Sequence, residues 1–263
     1  MEKLYVIKIG GNIIDNPEAL NKFLSDYASL NAKKILVHGG GKIATDISAS
    51  LGIEAKMVDG RRITDLETLK IVTMVYGGLI NKNIVASLQS KNCNALGLTG
   101  ADANIIKSAK RPVKNGIDYG FVGDVENVNG EILSTFLNAG LNPILAPLSH
   151  DGNGNILNVN ADTMASVTSV VLSKLFEVHL IYCFELRGVL ENFEDKNSVI
   201  SEITPSKYSD LKEKGIISKG MIPKLDNSFD AIFSGVTAVR ICHADDLVNI
   251  INAGEPLGTV LRK

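Results

Sequence analysis

Lys8 stands near the end of an apolar run, "LYVIKI", and is followed at once by Gly10 and Gly11. A strand that closes on an ammonium and bare backbone N–H groups can face an anion, or it can carry a snorkelling lysine into a tight turn. A second run, "KILVHG" at 34–39, leads from His38 into Gly39, Gly40 and Gly41, directly before a helical pattern. Glycines there let a phosphate or carboxylate approach the main chain, and the helix behind them favours negative charge. Each cluster alone also reads as a plain turn; together, both at strand ends, they point toward anion binding. Arg61 and Arg62 follow Gly60. An arginine in such a loop is either solvated or grips a carboxylate through two parallel hydrogen bonds. Asn158, Asn160 and Asp162 lie in "LNVNADTMAS", where Asp162 falls in a first helical turn and suits its dipole. Lys224, in "SKGMIPKLDNSFDA", sits early in a helix, an unfavourable place for a cation, so it is either a surface residue or has a task. The chemistry these residue types suit is neutralisation of anionic groups. His38, His150, His179 and His243 form no catalytic set and read as structural. No Walker, GxGxxG, GxSxG or HExxH pattern occurs, which weakens P-loop, Rossmann and hydrolase readings.

These residues must be positioned by an alternation of strands and helices that runs end to end. Strand-like runs fall at 4–9, 34–39, 95–100, 142–148, 178–183 and 236–242. Helical periodicity falls at about 17–30, 42–51, 65–90, 131–139, 161–175, 205–213, 221–233 and 244–252. Thr64 and Glu67 have capping-box spacing at the start of the third helix. The alternation predicts a mostly parallel sheet covered by helices on both faces, and in such sheets ligands bind beyond the carboxyl ends of the strands. Between about 103 and 130, "NIIKSA" and "YGFVGDVENV" look like appended hairpins. "SHDGNGNILNVNAD" at 149–162, rich in Gly and Asn, predicts a turn or short hairpin near the junction of two lobes.

The 263 residues are 45% hydrophobic and 21% charged, with a net charge of −2. That balance is ordinary for a globular protein, and it offers no basic field for nucleic acid and no polybasic stretch for a membrane surface. No signal-peptide pattern is present, and no stretch reads as the roughly 18 apolar residues of a membrane span. Cys93, Cys183 and Cys242 are scattered, without a CxxC pair, so neither a disulfide framework nor a zinc site is indicated. A reduced, cytoplasmic protein is expected.

"IKIGGNII", "VHGGG", "DGRRIT", "LNVNAD" and "GIISKGMIPK", in this order, resemble the amino-acid-kinase superfamily and, within it, the acetylglutamate kinases. The resemblance covers essentially the whole chain. It implies a three-layer αβα sandwich around a mostly parallel central sheet with appended β-hairpins. It also implies a single domain of residues 1–263, with an acyl-amino-acid and dimerisation lobe at about 1–165 and a nucleotide lobe at about 166–263. The activity implied is ATP-dependent phosphorylation of the γ-carboxylate of N-acetyl-L-glutamate in arginine biosynthesis, with ATP as donor and Mg²⁺. Lys8 and Lys224 match the lysines that neutralise the migrating phosphoryl group, and Asp162 the aspartate that positions both. Gly40, Gly41, Arg62 and Asn158 match the acylated-glutamate site, with Arg62 on the α-carboxylate. Gly11, the segment Glu185, Leu186, Arg187, Gly188, Val189 and Leu190, and Ile216, Ile217 and Ser218 match nucleotide-contacting positions; no protein metal ligand is implied.

One departure stands out. Where the family reads a small hydroxyl residue and an aspartate after the strand at 178–183, this chain has Phe184 and Glu185 in "CFELRGVL", so the nucleotide pocket is expected to be reshaped. An N-succinylglutamate kinase, using Arg61, Lys107 and Lys110 on a second carboxylate, and a non-catalytic ligand sensor are the alternatives. The partners expected are a small N-acylglutamate and a second copy of the chain, with no nucleic acid and no membrane. The apolar face of the helix near 65–90 predicts pairing about a twofold axis. Family members inhibited by arginine carry an extra N-terminal helix, and only Met1, Glu2 and Lys3 precede the first strand here, so a homodimer insensitive to arginine is expected.

Overall fold

The computed structural model describes residues 1–58, 61–217 and 221–263. In chain order its first elements are β1 (Lys3–Ile9), α1 (Gly11–Ile14), α2 (Pro17–Ser29), β2 (Lys33–His38), α3 (Gly41–Ser50), β3 (Met57–Val58) and β4 (Arg61–Arg62). Next come α4 (Leu66–Val72), a π-helical segment (Thr73–Ile80), α5 (Asn81–Gln89), β5 (Ala95–Leu98), β6 (Ile106–Lys110), β7 (Gly123–Val128), α6 (Gly130–Asn138) and β8 (Asn142–Leu145). There follow β9 (Leu148–His150), β10 (Ile156–Asn158), α7 (Ala161–Leu172), β11 (Glu177–Phe184), β12 (Glu202–Ile203), α8 (Pro205–Glu213) and α9 (Ile222–Phe233). The last are β13 (Ala238–His243), α10 (Leu247–Asn252) and β14 (Thr259–Leu261).

The chain forms two compact units, Met1–Ile35 with Ala165–Lys263, and Leu36–Met164. In the first, strands run in the order β12-β14-β13-β11-β1. β1 pairs parallel with β11, bringing Lys8 opposite Tyr182 and Ile9 opposite Cys183. The last five residues of β1 bury almost continuously, as a strand covered on both faces requires. Because β1 pairs with a strand far downstream, residues 1–35 fall in the same compact unit as the C-terminal part of the chain. β14 runs antiparallel to β13 and is an edge addition that the apolar pattern does not reveal. Asn16 caps α2 by accepting from the N–H groups of Glu18 and Ala19, and Pro17 opens the helix where its missing N–H costs nothing.

In the second unit β2, β8 and β5 lie side by side, all parallel. A separate four-stranded sheet, β10-β9-β6-β7, contains the two hairpins expected from the sequence. Pro147, which has no N–H for a ladder, separates β8 from β9 within the predicted 142–148 strand. The predicted capping box at Thr64 is not formed. Asp65 is the N-cap, accepting from Thr68 N–H at 2.8 Å, and the Thr64 hydroxyl turns instead to the carbonyl of Arg62.

The helix predicted at 65–90 spans Leu66–Gln89, but its middle eight residues are π-helical. Its length and mean hydropathy of 1.3 would suffice for a membrane span, contrary to the sequence reading. It packs as a core helix: Asn81 on it is buried and donates to the Ile144 carbonyl, while Ile71, Val72, Val75, Ile84 and Leu88 fill the interior.

Candidate functional site

In the first unit, the carboxyl end of β1 delivers Lys8 into a cavity of about 260 Å³ lined also by Gly10, Gly11, Asn12, Ile13, Cys183, Phe184 and Glu185. Lys8 is only 8% exposed, held in the strand by its pairing with β11. A Cβ on Gly10 would stand 3.7 Å from the Lys8 Nζ, and one on Gly11 would meet the Asp15 carboxylate at 3.2 Å. Asn12 donates to Glu185 Oε1 at 2.8 Å, tying the glycine turn to the end of β11. Lys224, one turn into α9, has its Nζ 4.3 Å from the Phe184 ring centroid and 5.1 Å from that of Tyr182. The Lys8 Nζ lies 5.7 Å from the same Phe184 centroid. The two sequence-predicted lysines are thus gathered at one ring.

Beyond Glu185 the segment diverges. Glu185, Leu186, Arg187 and Leu190 line a second cavity of about 350 Å³. Gly188 and Val189 are buried: the Val189 N–H donates to Thr259 Oγ1 at 2.8 Å, and a Cβ on Gly188 would meet that oxygen at 2.6 Å. They shape the segment and do not line that cavity. Ile217 is buried and Ile216 half-buried, while Ser218 lies outside the described residues. Lys196, Asn197, His243, Asp245 and Asp246 complete the cavity wall and were missed by the sequence reading. The position of His243, Asp245 and Asp246 at the carboxyl end of the parallel strand β13 was the available signal.

In the second unit the carboxyl end of β2 places His38 fully inside. Its Nδ1–H donates to the Gly39 carbonyl at 2.8 Å; since a carbonyl can only accept, Nε2 is the lone-pair nitrogen and takes the Asn81 amide N–H at 3.2 Å. Burial pushes the imidazole pKa down to about 4, with Lys82 adding to that and the Gly39 contact opposing it. Gly40 has φ of +145°, and a Cβ there would lie 2.2 Å from Ile80 Cδ1, so the π-helical segment packs directly on the glycine turn. Gly41 opens onto free space.

Arg62, only 7% exposed, is not one of the solvated loop arginines; Arg61 is the exposed member of the pair. Its Nη2 donates to the Gly41 carbonyl at 2.8 Å and to Thr45 Oγ1 at 2.7 Å. Its Nη1 is buried with no hydrogen-bond partner among the described residues, which suits an anion that enters and accepts there. Burial raises the Tyr76 phenol pKa, and neighbouring Arg62 opposes that rise. Asn158 donates to Thr64 Oγ1 at 3.0 Å, joining the same shell. Arg62 thus stands against the glycine turn of Gly40 and Gly41, and Asn158 is linked to Arg62 through Thr64. Asn160 caps α7 by accepting the Thr163 N–H at 3.0 Å, and Asp162 follows in the first turn.

Known proteins bear on these two clusters. Residues 3–243 match the amino acid kinase family. The chain is 67% identical to the acetylglutamate kinase of Cytophaga hutchinsonii over 99% of both chains. It is 56% identical to that of Phocaeicola vulgatus over 100% of this chain and 99% of the other. Among solved structures it resembles N-acetylglutamate synthase from Neisseria gonorrhoeae in complex with coenzyme A and N-acetyl-glutamate, with a TM-score of 0.85 at 20% identity, over all of this chain and 59% of that one. Carbamate kinase from Giardia lamblia bound to AMP-PNP follows the same fold, with a TM-score of 0.72 at 15% identity, over 100% and 99% of the two chains. With two cationic, glycine-lined clusters at strand ends and these full-length likenesses, the chain belongs to the amino acid kinase family and, within it, to the acetylglutamate kinases.

Proposed function

We propose that the protein transfers the γ-phosphoryl group of ATP to the γ-carboxylate of N-acetyl-L-glutamate, giving N-acetyl-L-glutamyl 5-phosphate and ADP, a step of arginine biosynthesis. The observation that carries this reading is full-length 67% identity to an acetylglutamate kinase, supported by the two clusters. The acceptor carboxylate has a reference pKa of about 4.3 and is ionised at neutral pH, so no general base is needed. The obstacle is electrostatic: two like charges about 4 Å apart repel by about 4 kcal/mol at an effective dielectric of 20. Lys8 and Lys224 counter that repulsion and stabilise charge on the transferring oxygens, while N–H groups beside Gly10 and Gly11 receive phosphate. Arg62, through its buried Nη1, takes the α-carboxylate, and Gly40, Gly41 and Asn158 shape the acylated amino acid's site. Asp162 is assigned its role by resemblance alone. The cavity walled by Glu185, Leu186, Arg187 and Leu190 takes the nucleoside, with Ile216 and Ile217 supporting that segment and Ser218 assigned by resemblance alone.

Mg²⁺ would arrive on the triphosphate; among the described residues no group of three or more His, Cys, Asp or Glu side chains is disposed to hold a metal. Acetyl is favoured over succinyl because the relatives of 67% and 56% identity are acetylglutamate kinases, and two of the three additional cations have neighbours of their own. Lys107 lies along the turn at Gly152, and the Lys110 ammonium sits 5.4 Å from the Phe121 ring centroid. ADP release measured with Mg-ATP against N-acetyl- and N-succinyl-glutamate tests the assignment; faster turnover of the succinyl compound, or none of either, would overturn it. We further propose a cytoplasmic homodimer paired through the 66–89 helix, which leaves Met74 and Leu79 exposed. A monomer in light scattering would refute the pairing.

A further inference from the structure

The family-unlike residue Phe184 lies where two cations must be held. Its ring centroid is 4.3 Å from the Lys224 Nζ and 5.7 Å from the Lys8 Nζ. Tyr182 stacks on it at 6.5 Å and is itself 5.1 Å from the Lys224 Nζ. All four residues belong to the first unit. Two ammonium groups gathered at one anion site repel each other, and an attractive surface that both can face offsets part of that repulsion. The electron-rich face of a phenyl ring attracts a cation within about 6 Å, most strongly when water is excluded, and Lys8 is nearly enclosed. A small hydroxyl residue at this position could not span both lysines.

We infer that Phe184 is a positioning residue, a shared aromatic platform that gathers the Lys8 and Lys224 ammoniums for phosphoryl transfer. The inference rests on the roles proposed above for the two lysines. Glu185, the second departure, serves the same end from the next position: accepting from Asn12, it locks the glycine turn to the strand end that carries Phe184.

The test replaces Phe184 with phenylalanines bearing one, two and three ring fluorines, which drain the ring face while nearly preserving its shape. Log kcat should fall stepwise, by about tenfold across the series, with KM for both substrates within about twofold. Phe184→Tyr should retain most activity, and Phe184→Leu should fall with the trifluoro protein. A kcat indifferent to fluorination would overturn the inference. A second measurement does not depend on turnover. In protein labelled with ¹³C-lysine, the ring current should displace the Lys8 ε-methylene signal upfield, and Phe184→Leu should return it; an unmoved signal would also overturn the inference. If the wild-type protein phosphorylated no N-acylglutamate while these shifts appeared, the proposed function would fail and the platform would stand.

Discussion

His38 gives the second unit an acid-labile anchor whose cost follows from its surroundings. The imidazole is fully buried, donates from Nδ1 to Gly39 and accepts at Nε2 from Asn81. A proton added at Nε2 would oppose the Asn81 N–H, and the charge would have no water. Folding therefore holds the pKa at about 4, against about 6.5 in the unfolded chain. Because the folded pKa is the lower one, the unfolded chain binds the proton more readily. The stabilisation from keeping His38 neutral is complete above about pH 6.5 and is lost progressively as pH falls toward 4. At pH 5.5 the loss is about 1.4 kcal/mol, and near pH 4 it approaches 3 kcal/mol, roughly, at 1.36 kcal/mol per pKa unit. His38→Asn keeps a donor for Gly39 but does not titrate in this range. Urea unfolding followed by circular dichroism should show the variant less stable than wild type at pH 7.5, with the gap shrinking by about 1.4 kcal/mol at pH 5.5. Subtracting the two proteins cancels the carboxylates that titrate in both. A gap that stayed constant with pH would refute the buried, neutral imidazole.

Lys8→Ala and Lys224→Ala should each lower kcat by about a hundredfold or more while changing KM little, because in the proposed role they meet charge that develops in the transition state. Steady-state kinetics with weakened binding but intact kcat would remove them from that role. Arg62→Ala should raise KM for N-acetylglutamate by about tenfold to a hundredfold, the worth of charge-assisted hydrogen bonds, and leave KM for ATP alone. The opposite pattern would place Arg62 with the nucleotide. Gly188→Ala should lower Tm by about 5 °C in a thermal melt, because its Cβ would press on Thr259 Oγ1 and on Val199 Cγ1 at 2.8 Å. An unchanged Tm would mean that this segment is less closely packed on β14 than described.

The sequence by itself determined what depends on local preference and residue type. Apolar runs alternating with amphipathic ones set the strands and most helices, and glycines after Lys8 and His38 marked the turns at the ends of β1 and β2. The appended hairpins were legible because Gly, Asn and Asp mark their turns. Tertiary structure decided what depends on partners distant in sequence. Periodicity does not say which strand pairs with which, so the return of residues 1–35 to the C-terminal unit came from the β1–β11 ladder. The exchange of Thr64 for Asp65 as helix cap came from the Thr64 carbonyl accepting from Phe121, with the Thr64 hydroxyl directed to Arg62. Arg61 and Arg62 are chemically identical, and only alternation across the short strand β4 turns one outward and buries the other against Gly41. Phe184 read in the sequence as a residue that reshapes the nucleotide pocket, and only the fold set the lysines of β1 and α9 against its ring, because a residue's type is fixed by sequence but its neighbours by packing.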